Sequence, residues 1–162
     1  MRRFVSTGVV AAAIALTGCT TVPPVQRSID PNQSEWQGRL AVQVESEPPS
    51  AMSASFALRG VPQQGELDLY SPLGTTLGAL QWSPHSVVLI QDGKPQTYYS
   101  LAELTQKTTG AALPLEALFN WLKGIEQEVP GWQVDLSTLP QGWLTAKRLV
   151  PAPQVTLRIK LD

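Results

Sequence analysis

The chain of 162 residues is 43% hydrophobic and 15% charged, and its formal net charge is −1. This length and composition predict one domain with a buried core, and the net charge becomes −3 without the N-terminal segment that carries Arg2 and Arg3. The acidic balance and the lack of a polybasic tract argue against nucleic acid as a partner and against electrostatic attachment to a membrane.

The first segment, MRRFVSTGVVAAAIALTGC, has the pattern of a secretory signal peptide. A basic start precedes an apolar run over residues 9–16, which is too short to cross a bilayer. Residues 16–19, Leu-Thr-Gly-Cys, resemble the lipobox of bacterial lipoproteins. That resemblance implies removal of residues 1–18, a diacylglyceryl group on the Cys19 sulfur and an acyl chain such as palmitate on its amine. The alternative is an ordinary secreted protein in which Cys19 is a buried thiol.

Acylation of Cys19 would give stable anchoring, because each buried methylene contributes roughly 0.8 kcal/mol and two or more acyl chains hold a protein on a bilayer. Thr20 stands where an aspartate would retain an enterobacterial lipoprotein at the inner membrane. This indicates the periplasmic face of the outer membrane. Residues 19–34 are polar, contain three prolines and predict an extended, flexible tether. We therefore expect the folded domain to cover residues 35–162.

Strands with one polar and one apolar face dominate the rest of the chain. In WQGRLAVQV, Trp36, Leu40 and Val42 share one face while Gln37 and Arg39 share the other. A period of two with one polar face predicts antiparallel sheet. Further strands are predicted at residues 51–58, 65–71, 75–82, 86–91, 94–100, 132–136, 142–150 and 154–161.

Two short helices are predicted between these strands. Ser100 and Glu103 form a capping-box pattern, and we expect this helix to end at Gly110. The second is predicted over residues 114–124, because proline is favoured at the start of a helix and glycine at its end. Trp121 is expected beside the apolar stripe of this helix. The stripe consists of Leu115, Leu118, Phe119 and Leu122.

These elements predict one curved antiparallel sheet of about eight to eleven strands, with the helices across its mouth. The interior of such a sheet can be packed solid with its own side chains. It can instead hold an apolar cavity that binds a ligand. The residues by themselves leave both arrangements open.

The reactive side chains argue against an enzyme or a metal site. His85 is the one histidine and lies in a predicted surface turn, while Cys19 is assigned to lipid. A zinc site needs more His or Cys ligands than the chain contains. The closest carboxylate pairs are spaced i, i+2 and are expected to be solvated: Glu45/Glu47, Glu66/Asp68 and Glu126/Glu128. We expect no catalytic residue, no metal and no cofactor.

Five segments in chain order resemble the LolB family of outer-membrane lipoproteins: the lipobox, WQGRLAV, SASFAL, ELDLYSPLGTTLGAL and LPLEALFNWLKG. The resemblance spans nearly the whole chain after Cys19. It implies an incomplete β-barrel whose apolar cavity is covered by α-helices. It also implies a receptor that takes lipoproteins from a LolA-like periplasmic carrier and inserts them into the outer membrane. We expect a monomer.

The resemblance assigns a role to the turn SPLG at residues 71–74, because the family has a protruding loop with an exposed leucine needed for membrane delivery. By position that residue is Leu73, between Pro72 and Gly74. A type I turn that starts at Ser71 would place Leu73 at the tip. The alternative is that Leu73 folds back onto its own sheet. Burial of one leucine in lipid contributes only about 2 kcal/mol, so the predicted contact is transient.

We expect the acyl chains of the cargo to lie in the hollow of the sheet. The candidate lining residues are the inward apolar positions Leu40, Val42, Met52, Phe56, Leu67, Leu69, Leu118, Leu122 and Ile159. Each of these positions is equally compatible with an ordinary packed core. Two other functions remain open at this point: a structural envelope lipoprotein that binds partners through an exposed strand edge, and a hydrolase, which the residue inventory disfavours.

Overall fold

The computed structural model describes residues 26–110 and 112–162. The predicted signal peptide, Cys19 and the first part of the predicted tether lie outside the described residues. Within the described residues, nine strands form one sheet: β1 (Glu35–Val44), β2 (Ser50–Val61), β3 (Gln64–Tyr70), β4 (Thr76–Ser83), β5 (Ser86–Gln91), β6 (Lys94–Tyr98), β7 (Trp132–Asp135), β8 (Trp143–Arg148) and β9 (Val155–Leu161). The remaining elements are α1 (Leu101–Thr109), α2 (Leu115–Leu122) and a 3-10 turn, Leu139–Gln141.

The strands pair antiparallel in the order β6-β5-β4-β3-β2-β1-β9-β8-β7. The first and last strands therefore lie side by side inside the sheet, because β1 pairs with both β2 and β9. In the described part of the chain the edge strands β6 and β7 do not pair with each other, so the sheet is not closed into a barrel. Both helices belong to the connection between these two edges. The predicted mainly-β fold, an incomplete barrel with two helices, is confirmed.

The sheet has an apolar inner face and a polar outer face. Along β1, Trp36 and Val42 are buried, whereas Gln37 and Gln43 on the opposite face are exposed. Successive side chains of a strand point to opposite faces, so the alternation in the sequence determines which residues reach the core. The same alternation buries every second residue of β9: Val155, Leu157, Ile159 and Leu161.

Gly38 allows β1 and β9 to approach each other in the sheet. A Cβ added at Gly38 would lie 2.0 Å from the carbonyl oxygen of Lys160, and the backbone φ is 157°. We therefore expect Gly38→Ala to lower the free energy of unfolding by about 3 kcal/mol or more in urea denaturation. Gly93→Ala is the matched control, because Gly93 has a φ of 72° but nothing lies within 4 Å of its added Cβ. The control should lose about 1–2 kcal/mol, and equal losses would contradict a role for the close approach.

Capping interactions determine the two ends of α1, as predicted. The Oγ of Ser100 accepts the amide of Glu103 at 3.1 Å, and Gly110 ends the helix with a left-handed φ of 75°. The Glu103 carboxylate accepts the amide of Tyr99 at 2.9 Å, in place of the Ser100 amide that a capping box predicts. Hydrogen bonds from Lys107 and from the Tyr99 amide hold the pKa of Glu103 below its usual value.

The buried side chains of α2 include one outside the predicted apolar stripe. Phe119 and Leu122 are buried, as predicted, but Trp121 beside them is equally buried, with 1% of its surface exposed. Its ring packs against Trp132 of β7 at a centroid distance of 6.1 Å, and its Nε1 donates to the carbonyl of Gln127 at 3.0 Å. The helix is thus enclosed on two sides, by the sheet and by the chain that leads to β7. Two stripe residues are only partly buried, Leu115 and Leu118.

Candidate functional site

Residues 71–75 join β3 to β4, and their own hydrogen bonds close a three-residue loop over residues 72–74. The Gly74 amide donates to the Ser71 carbonyl at 2.9 Å, and the Ser71 amide donates to the Thr75 carbonyl at 2.8 Å. The Oγ of Ser71 accepts the amides of Leu73 at 3.3 Å and of Thr75 at 3.2 Å. Gly74 has a φ of 81°, as the last residue of such a loop commonly does. The side chain of Leu73 takes no part in this network.

Leu73 projects from this loop with 94% of its surface exposed. Pro72 and Gly74 on either side are also exposed, and nothing lies within 4 Å of a Cβ placed on Gly74. The alternative in which Leu73 folds back onto its own sheet is therefore wrong for this structure. Leu73 is the large apolar side chain that the loop presents to its surroundings, and the role of that side chain in membrane delivery stays a prediction.

Strand pairing places those predicted lining residues that lie on strands side by side on the inner face, whereas Leu118 and Leu122 lie on α2. Leu40 of β1 lies next to Ile159 of β9, and Phe56 of β2 lies opposite Leu69 of β3. Met52 is 39% exposed, near the start of β2. The buried members of the set are Val42, Phe56, Leu122 and Ile159. The partly buried members are Leu40, Leu67, Leu69 and Leu118. Their contact with acyl chains stays a prediction.

α2 occupies the space in front of this inner face. The ring of Phe119 packs edge-on against Trp36 of β1 and Trp82 of β4, with centroids 5.5 Å and 6.2 Å away. All three side chains are buried. Phe119 was absent from the predicted lining set, because its position on the helix predicts burial but not the partner. Its contact with two strands that are distant in sequence depends on the fold.

Apolar packing, more than hydrogen bonding, holds α2 against the sheet. The side-chain hydrogen bonds of the helix are local: Asn120 Nδ2 and Trp121 Nε1 both donate to Gln127. Trp36 Nε1, beneath the helix, is buried and has no hydrogen-bond partner among the described residues. Because apolar burial is non-directional, another apolar group of similar size could take the place of the Phe119 ring.

An open groove of about 680 Å³ lies on the outer face. Arg39, Ser55 and Tyr70, which point outward from β1, β2 and β3, border this groove together with Pro72 of the β3–β4 loop. Its polar border is unlike the apolar inner face. The loop that carries Leu73 therefore lies beside the outer face of the sheet.

The side chains considered for catalysis are dispersed. His85 is exposed in the β4–β5 turn. Glu66 and Asp68 point outward, 2.6 Å and 3.9 Å from the guanidinium of Arg59, and the bond to Glu66 raises the pKa of Arg59. Within residues 26–110 and 112–162, no three His, Cys, Asp or Glu side chains lie close enough together to hold a metal ion. No helix of the described part is long and apolar enough to span a membrane.

Comparison with known proteins relates the chain to one family. The family model described as outer membrane lipoprotein LolB matches residues 32–156. The outer-membrane lipoprotein LolB of Shewanella baltica (strain OS223) is 33% identical over 122 residues, which cover 70% of this chain and 56% of that protein. The LolB of Chromobacterium violaceum is 29% identical over 141 residues, which cover 81% of this chain and 75% of that protein.

The chain spans about half the length of the Shewanella relatives that it matches. The family model itself covers most of the chain, and it includes eight of the nine strands in full, both helices and the loop of Leu73. By that match, this chain belongs to the LolB family of outer-membrane lipoproteins.

Proposed function

We propose that this chain accepts lipoproteins from a LolA-like periplasmic carrier, binds their acyl chains on the inner face of its sheet and inserts them into the outer membrane. One observation carries the proposal: the open sheet has an apolar inner face that is covered by the short helix α2. Membership of the LolB family supports it. The transfer makes and breaks no covalent bond, so it needs no catalytic residue, metal or cofactor.

The free energy of burial allows an acyl chain to compete with α2 for the inner face. Phe119, Trp121 and Leu122 are the large buried side chains of the helix, and burial on this scale contributes roughly 5–9 kcal/mol. An acyl chain of about 16 carbons gains roughly 13 kcal/mol on leaving water, at about 0.8 kcal/mol per methylene. For an acyl chain taken up from water, as in a titration with free fatty acid, this gain exceeds the free energy of the helix contacts that the chain displaces.

Two contacts with the outer membrane belong to this proposal. The first is permanent: acyl groups on Cys19 hold the protein after removal of residues 1–18, and residues 19–34 tether the domain of residues 35–162. The second is transient: Leu73 enters the bilayer and helps an acyl chain to leave the inner face. A single leucine contributes about 2 kcal/mol, which promotes an encounter but cannot anchor a domain.

Titration of residues 20–162 with a fluorescent fatty acid tests the acyl-chain site. We expect saturable binding that unlabelled palmitate reverses, because the probe replaces the apolar contacts of α2. The emission of the probe and its competition curve measure the affinity. A structural scaffold with a permanently packed interior would give no saturable signal, and that result would contradict the proposed function.

A further inference from the structure

The outer face of β1, β9 and β8 carries a cluster of basic side chains, although the chain as a whole is acidic. We call this cluster the basic patch. Its members are Arg39, Lys147, Arg158 and Lys160. Arg39 of β1 pairs with Lys160 of β9, and Arg158 lies two residues away on the same face of β9. Lys147 of β8 pairs with Thr156, the next outward residue of β9.

The acidic side chains near the basic patch lie at the ends of its strands or on the adjacent β7, and within the described residues none of them forms an ion pair with it. Within these three strands, which are described in full, the one acidic residue on the outer face is Glu35 at the start of β1. Asp162, which directly follows β9, borders the same groove as Arg39. Among the described residues, the ion pairs are those of Arg59 and Lys107, and none involves the patch. Asp135 of the adjacent β7 has its carboxylate bonded to the amide and hydroxyl of Ser137.

Trp143 places an amphipathic ring at the edge of the basic patch. It is 48% exposed on β8, and the Nζ of Lys160 lies 5.5 Å from the centroid of its ring. The same ammonium group donates to the carbonyl of Gln141 at 2.8 Å, so Lys160 is held beside the indole. Tryptophan is enriched where a protein meets the headgroup region of a membrane, and beside a basic patch it favours a lipid surface as the partner.

The membrane anchor is attached close to this face, a step that depends on the proposed acylation of Cys19. The amide of Arg27 donates to the carbonyl of Pro140 at 2.8 Å. Pro140 belongs to the 3-10 turn that leads directly into Trp143 and β8. The chain from Cys19 to Arg27 spans at most about 28 Å. The bilayer is therefore within reach of the basic patch while this contact is made.

The loop of Leu73 lies toward the same side. Pro72, which precedes Leu73, borders the same outer-face groove as Arg39 of the basic patch. A bilayer that faces the patch therefore lies on the side of the molecule where Leu73 is exposed. The anchor, the loop and the patch can then contact one membrane together.

We propose that the basic patch is a docking surface for the anionic phospholipid headgroups of the membrane that holds the protein. Phosphate groups accept strong charge-assisted hydrogen bonds from guanidinium and ammonium groups. Each basic side chain close to an anionic surface strengthens binding by about fivefold. The local cluster outweighs the net charge, because exposed charges more than about 8 Å away are screened at physiological salt. Docking orients the domain so that Leu73 meets the bilayer.

Vesicle co-sedimentation of residues 20–162 tests the docking surface without the lipid anchor. The described residues contain the sheet, both helices and the hydrophobic core, so this chain keeps the domain intact. We expect binding to phosphatidylcholine vesicles that contain phosphatidylglycerol, weaker binding to phosphatidylcholine alone, and loss of the difference at high salt. K147E/R158E should lower the partition coefficient for the anionic vesicles by at least about twentyfold.

The matched control is K94E/K107E, which changes the net charge equally on β6 and α1, at the other edge of the sheet. All four substituted side chains are exposed, so both variants should fold. K94E/K107E also loses the ion pair of Lys107 with Glu103, but an exposed pair of this kind contributes little to stability. The partition coefficient of the control for the anionic vesicles should stay within about twofold of that of the unaltered chain. Equal binding to both vesicle types, or equal losses for the two variants, would overturn the proposal. Fatty-acid binding should be the same in K147E/R158E, so a failed docking test leaves the acyl-chain site standing.

Discussion

Phe119→Ala is expected to weaken the fold and to strengthen acyl-chain binding at the same time. Truncation of a fully buried phenylalanine lowers the free energy of unfolding by about 3–5 kcal/mol, and Phe119 is 1% exposed between Trp36 and Trp82. If an acyl chain must displace the Phe119 ring in order to bind, the substitution removes that cost of roughly 2 kcal/mol. The affinity for the acyl chain should then rise about thirtyfold. Urea denaturation and the fatty-acid titration measure the two effects separately.

Leu139→Ala is the control that separates displacement from general loosening. Leu139 is equally buried, at 1% exposed, but it lies in the 3-10 turn between β7 and β8 and approaches Gly124, beyond the C-terminal end of α2. Phe119 instead packs against Trp36 and Trp82. The Leu139→Ala variant should lose about 2–5 kcal/mol of unfolding free energy, and its affinity for the probe should not rise. If both variants bind the probe more weakly than the unaltered chain, α2 is not the group that the acyl chain displaces.

Leu73→Glu is expected to slow delivery into membranes while the protein keeps its fold and its cargo. With 94% of its surface exposed, Leu73 should contribute less than about 0.5 kcal/mol to the stability of the domain. Loss of its burial in the bilayer should slow insertion of a carrier-delivered lipoprotein into liposomes by about thirtyfold, which corresponds to about 2 kcal/mol. The measurement is the rate at which the lipoprotein appears in the liposome fraction.

Tyr99→Glu provides the matched control for that substitution. Tyr99 is 98% exposed and follows β6 at the end of the sheet opposite the β3–β4 loop. The control should insert cargo at the normal rate, and Leu73→Met, which keeps an apolar tip, should also be near normal. An unchanged rate in Leu73→Glu would remove the loop from the mechanism, whatever the fatty-acid titration shows.

Much of the fold was predictable because its signals are local. Alternation in residues 154–161 predicts β9, which the structure places at Val155–Leu161, since only one face of this strand meets the core. Ser100 and Gly110 predict the ends of α1 for a similar reason, because capping depends on hydrogen bonds and backbone angles within a few residues. The full burial of Trp121 was not predictable, because Trp132 and Gln127, which cover it, come later in the chain.

The amino-acid sequence alone determined the strand periodicity, the helix ends, the turn that carries Leu73 and the resemblance to one family. Only the tertiary structure decided that Phe119 meets Trp36 and Trp82. It also decided that basic residues from three strands form one patch, although the lack of a polybasic tract had argued against electrostatic attachment. The physical reason is that local periodicity sets the face to which a side chain points. Strand order, which long-range pairing establishes, sets which faces and which charges become neighbours.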